Sequence, residues 1–328
     1  MVQPSLFSQL ASVNPALSAC LAETAEYLAA PGAPRLSDEQ RALALGIARR
    51  LVGDVADRLG WTIDSAALWR DWSDAGVPAA TQLAALCFAR GEEHRWREQG
   101  MPPGGEAAAS PVDDAGEVDA LVPAIADGPQ SEVARAYLDL QIADRRRFDA
   151  FGHPCIAIDD LEPDLLRTLL LDVAAWQLLR AGKDAAEAAR LGEAVRAALA
   201  AHAPGRGIDR AAARYHDALV DTDTLAAAAG DAIARHDWTA LIALAAAAHT
   251  YRYDGMALAL LSAEPAQLAP LLQPILRDHA ALAPLEGALA MLANRAVASA
   301  ASGDRAARSH AQAAKSDHGG DRIEGEPR

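Results

Sequence analysis

Three consecutive arginines, Arg145-Arg146-Arg147, precede His153, Cys155 and Asp159 by a few residues. A guanidinium grips a carboxylate or phosphate through two parallel hydrogen bonds, so such a run could hold an acidic partner segment or a phosphate. A second account needs no ligand. Arginines at a helix C-terminus favour the negative end of the dipole, and these can pair with Asp144, Asp149 and Asp159. They could also clip this chain's own acidic stretch, described below.

His153-Pro154-Cys155 sets a base beside a thiol. A Cys–His nucleophile needs fixed geometry and a third, orienting group, which one loop does not supply. Asp159, Asp160, Glu162 and Asp164 could surround a divalent cation. Their place at the start of a helix, with Pro163 in its first turn, also accounts for them through capping and the dipole. Asp217, Asp221 and Asp223 form another acidic group, but the glycine and bidentate glutamate of a calcium loop are missing. They fit the cap of a helix opening at Thr222.

The nine histidines include no H-E-x-x-H pair. No phosphate-cradling G-x-x-x-x-G-K-[ST], no strand-linked G-x-G-x-x-G and no G-x-S-x-G elbow occurs. No catalytic, cofactor-binding or metal residue is therefore assigned, and no cofactor is expected. The candidate interaction surface is Arg145, Arg146, Arg147, His153 and Asp159.

The elements that must carry these residues are helices. Hydrophobic residues make up 51% of the 328, aromatics only 5%, and alanine and leucine dominate. Those two are strong helix formers, and alternating Val-, Ile- and Thr-rich runs are nearly absent. The composition predicts an all-α protein.

A net charge of −15 opposes nucleic-acid binding, which needs cations to displace phosphate counterions, and opposes an electrostatic hold on anionic membranes. It suits a soluble cytosolic protein, or one whose partner is basic. The three cysteines are widely spaced, giving neither a disulfide framework nor a zinc knuckle. No run approaches the ~20 apolar residues of a membrane span. The first twenty residues lack a positive n-region. The expected location is the cytoplasm.

Along the chain, Ser37-Asp-Glu-Gln40 reads as a capping box opening a helix to Leu59. Ser65–Asp74 is a short helix with Trp69 and Trp72. A helix from Pro78 to Glu98 carries Leu83, Leu86, Cys87 and Arg90 along one side and ends in the charged run GEEHRWRE. These give an N-terminal helical unit over 1–98. Residues 99–130 are rich in Pro, Gly and acidic residues with no basic one, and predict a flexible acidic linker.

From 131 to 302, roughly nine helices joined by short turns are expected, a degenerate HEAT-like array or α-solenoid without a clean period. Within it, Leu161, Leu165, Leu169, Val173 and Trp176 recur at helical spacing, widened by Leu166, Leu170, Leu171, Leu178 and Leu179. A helix apolar on nearly all sides is buried, which predicts the central helix of the stack. Residues 303–328 predict a disordered tail.

RRFDAFGHPCIAIDDLEPDLLRTLLLDVAAWQL resembles the middle of a bacterial family designated domain of unknown function 2336, whose members carry an Arg-rich helix end, a short loop and a hydrophobic helix. LSDEQRALALGIARRLVGDVADRLG and GDAIARHDWTALIALAAAAHTYRYDGMALALLS are similar to other helices of that family. The resemblance spans 36–276 in pieces. Glu162-Pro163-Asp164 and the acidic linker depart from it. It implies an all-helical, HEAT-like fold and carries over no catalytic residue.

The expectation for function is a non-catalytic protein–protein interaction or regulatory scaffold. The alternative is a small-ligand sensor or enzyme with a helical pocket near Arg145, His153 and Asp159.

Overall fold

The computed structural model describes residues 15–29, 36–60, 63–99, 129–182, 184–277, 279–293 and 295. Of the acidic linker expected at 99–130, residues 100–128 lie outside the described residues, as does the tail at 303–328, while Gln99, Pro129 and Gln130 are helical. Thirteen α-helices and no strand occur among those described.

They are α1 (Pro15–Ala29), α2 (Asp38–Arg58), α3 (Ser65–Ala75), α4 (Ala80–Gln99), α5 (Pro129–Arg145), α6 (Pro163–Arg180), α7 (Ala185–Ala200), α8 (Ile208–Asp221), α9 (Leu225–Ala234), α10 (Trp238–Ala248), α11 (Tyr253–Ser262), α12 (Pro265–Leu272) and α13 (Ala283–Met291). The chain is all-α, as its composition predicts. The Ser37–Gln40 capping box forms in both directions. Asp184 and Asp237 cap α7 and α10 with their carboxylates.

Two apolar cores organise the helices. One joins α2, α3, the first half of α4, residues 156–161, α6 and α7. The other gathers Trp96 of α4 with α5 and α8 to α13. A smaller cluster joins Leu17 of α1 to Phe88 and Ala89 of α4 and Leu258 of α11.

Helix α4 contributes to all three. The helices of the N-terminal unit over 1–98 share a core with α6 and α7, and α4 packs directly on α11. One expectation is corrected: the central helix is α4 rather than α6. Helix α6 is flanked by α2 and α7 and leaves Leu171 51% and Leu179 62% exposed. Nor do Asp159 or Asp160 cap α6. Its N-cap is Glu162, with no side-chain cap bond.

Candidate functional site: a buried ion junction

Helix α4 is buried along most of its length, yet its second half reads Arg90, Glu92, Glu93, Arg95 and Arg97. A charge leaves water only when partners replace its solvation. Each of these has partners, and together they form the most polar interior region of the protein.

Glu93 is the hub, with a side chain 1% exposed. Arg147 reaches it by two parallel bonds, Nη1 to Oε1 at 3.1 Å and Nη2 to Oε2 at 2.8 Å. The Tyr253 hydroxyl donates to Oε1 at 3.0 Å, and the Arg147 guanidinium lies 4.6 Å over the Tyr253 ring. Arg90 approaches Oε2 at 3.3 Å and Arg97 approaches Oε1 at 3.7 Å. Burial alone would raise the Glu93 carboxyl. The charges of Arg147, Arg90 and Arg97 outweigh it and bring the pKa down to about 2.

The arginines are held in turn. Arg97 forks onto Asp144 at 2.8 and 2.9 Å. Arg90 donates to the carbonyls of Arg147 at 2.8 Å and Cys155 at 3.2 Å, pinning the 147–155 loop against α4. A second cluster beside it ties Arg95 to Glu92, to Glu39 of α2 and to the Ala293 carbonyl, with Gln40 donating to Glu92.

Two carboxylates extend the junction by capping helices other than their own. Asp160 Oδ1 accepts from the Ile208 N–H, at the start of α8, at 2.7 Å. Asp209, in the first turn of α8, accepts from the Tyr253 N–H at the start of α11, also at 2.7 Å. Each serves an N-terminal amide that would otherwise lack a partner. Arg252 closes the chain: it donates to the Asp160 carbonyl and to Asp254, and pairs with Asp209. Burial raises the Asp160 pKa to about 6, against the opposing charge of Arg147 3.6 Å away.

The residues singled out from sequence separate in this frame. Arg147 is 4% exposed, so it belongs to the interior and not to an interaction surface. The partner that buries it, Glu93, lies on α4, outside the stretch read as the site. Arg145 and Arg146 are exposed. The His153 side chain is 61% exposed and bonds Asp149 at 3.1 Å. Cys155 is buried, its Sγ faces the Arg146 carbonyl, and burial raises its pKa, so it is a structural thiol rather than a nucleophile.

Asp159 pairs with Arg206 at 3.9 Å. Open clefts of about 350 and 500 Å³ flank Asp159, and neither is lined by Arg145 or His153. Among the described residues no group of three or more His, Cys, Asp or Glu is placed to hold a metal ion. None of their helices is long and apolar enough to cross a membrane.

Sequence reading missed Glu93, Arg97, Arg252 and Tyr253. One signal was present: Arg90, Glu93 and Arg97 recur at i, i+3 and i+7, and Arg90 shares a face with Leu83 and Leu86.

An apolar groove lies elsewhere, between α6 and α7. It has a volume of about 380 Å³ and is lined by Leu171, Ala174, Leu178, Leu191, Val195 and Leu199, with Arg167 and Arg196 among its walls. No family model, curated protein or solved structure matches this chain.

Proposed function

We propose that this protein is a non-catalytic interaction protein, a regulatory scaffold of the cytoplasm, whose binding surface is the open face of the α6–α7 pair. The observation that carries this reading is the apolar groove between those helices, with Leu171 half-exposed at its edge. Leu171 is exposed at the rim, Leu178 and Leu199 are half-buried, and Ala174, Leu191 and Val195 form a buried floor. An apolar groove with cations beside it suits the apolar face of an amphipathic helix carrying acidic flanks. The buried charges point the same way: Arg147, Glu93 and Asp160 face one another and serve the fold.

HEAT-like stacking, and membership of the bacterial family designated 2336, remain part of this proposal. The run α8–α9–α10–α11, in which consecutive helices are neighbours, supports the stacking. The passage of α4 between the two cores departs from it.

The test is affinity capture from lysate of the source cells with the wild type and Leu171→Glu, a surface change that leaves folding intact. The expected result is a reproducible partner held by the wild type and lost by the variant, at equal melting temperature. The same capture profile for both proteins would sink the proposal.

A further inference from the structure

Three buried polar atoms of the ion junction make no hydrogen bond: Arg90 Nη1, Asp160 Oδ2 and Asp254 Oδ2. Arg90 Nη1 lies 3.3 Å from Glu93 Oε2 without hydrogen-bond alignment. Asp160 Oδ2 is 3.6 Å from Arg147 Nε, beyond bonding reach. Asp254 uses only its other oxygen, which accepts from Arg252. Buried polar groups are normally satisfied, so three in one place call for an explanation.

All three residues line a single cavity of about 20 Å³, at the meeting of α4, the 158–160 turn and the starts of α8 and α11. Other unpartnered buried atoms, such as Trp96 Nε1 and Trp238 Nε1, belong to residues outside that wall. A water needs roughly 10–15 Å³ measured this way, together with two to four polar partners.

We infer that this cavity is a built site for one neutral, water-sized molecule that accepts a hydrogen bond from Arg90 and donates to Asp160 and Asp254. The chemistry of the wall selects water. One donor and two acceptors are open, and a water molecule offers the complement: a lone pair for the guanidinium and two hydrogens for the carboxylates. Among the lining residues Arg90, Arg147 and Arg252 stand against Asp160, Asp209 and Asp254, with Glu93 a further carboxylate 3.3 Å from Arg90, so the open donor and acceptors, not the charge count, select water.

The molecule would join α4, the 158–160 turn and the starts of α8 and α11 by hydrogen bonds at one point. This inference does not depend on the α6–α7 groove.

The test is a crystal structure of the full chain at a resolution that shows ordered water, with Asp254→Asn solved beside it. One peak should appear within hydrogen-bond distance of Arg90 Nη1, Asp160 Oδ2 and Asp254 Oδ2, and should persist in Asp254→Asn, because water reorients to meet an amide. An empty cavity, with these side chains re-paired among themselves, overturns the inference. Melting temperatures in sodium, potassium, ammonium and choline chloride at equal ionic strength provide a second arm. They should agree within about 1 °C. A rise specific to one small cation, together with loss of the peak in Asp254→Asn, replaces water with a monovalent ion site and overturns the proposal.

Discussion

Arg147 and Glu93, 54 residues apart, meet in a two-bonded pair in which both side chains are excluded from solvent. Each offsets much of the desolvation of the other, because a lone buried charge costs several kcal/mol. Glu93 faces Arg147, Arg90, Arg97 and Tyr253 together. Glu93→Gln should therefore destabilise the fold by about 3–5 kcal/mol. Arg147→Met, which leaves Arg90 and Arg97 to satisfy Glu93, should cost less. Urea denaturation of both variants checks the order, and equal losses would contradict the role of Glu93 as hub.

Asp160 imposes a pH dependence of definite sign. Its folded pKa lies near 6, above the ordinary 3.8, so the folded chain holds a proton that the unfolded chain has released. Stability from this group is full below pH 3.8 and falls as pH rises through 6, by roughly 3 kcal/mol in all. Glu93 works in the opposite direction. Its folded pKa of about 2 gives stability present above pH 4.5 and lost as pH falls towards 2. Between pH 4.5 and 6 the Asp160 contribution should disappear in Asp160→Asn and flatten the slope, leaving what Asp209 and Glu92, raised by burial, add in the same direction and what His94, lowered by burial, opposes. Unfolding free energies measured across pH 3–8 would expose an unchanged slope.

Gly207 precedes α8 where the chain passes the 158–160 turn. A Cβ there would meet the Asp159 carbonyl at 2.6 Å and Asp160 Oδ1 at 2.8 Å. The first is backbone, and the second is held by the Ile208 N–H at 2.7 Å, so neither is the free end of a flexible side chain. Gly207→Ala should cost about 1–3 kcal/mol as overpacking and weaken the Asp160–Ile208 cap. A thermal melt like that of the wild type would show that the turn yields freely.

The basic run should divide sharply. Arg145→Ala and His153→Ala alter exposed groups and should shift stability by no more than about 0.5 kcal/mol. Arg147→Ala should lose more than Arg147→Met, several kcal/mol, because the buried stem goes together with the charge that forks onto Glu93 and faces Asp160. Chemical denaturation of the three variants measures the difference.

The helices were legible where local chemistry decides them. Alanine- and leucine-rich stripes and the Ser37–Gln40 box each act within one or two turns. The centre of the molecule was not legible. GEEHRWRE on α4 reads as a solvated helix end, because the residues that neutralise it stand far off in sequence: Glu93 finds Tyr253 at a separation of 160 residues. The leucines of α6 misled in the opposite way, since an apolar circumference states a capacity for burial and not the number of neighbours supplied. Asp160 was read as a cap for the wrong helix. A carboxylate at a loop can serve any amide terminus brought near it, and only tertiary structure selects α8.

The distance between Glu93 and Tyr253 along the chain bears on how this protein is made. During synthesis α4 leaves the ribosome long before α11, and its arginines and glutamates stay hydrated until Arg147 and then Tyr253 arrive. A helix that ends largely enclosed thus emerges as one of the more polar segments. Its late neutralisation commits the two cores to each other only when the C-terminal half is complete.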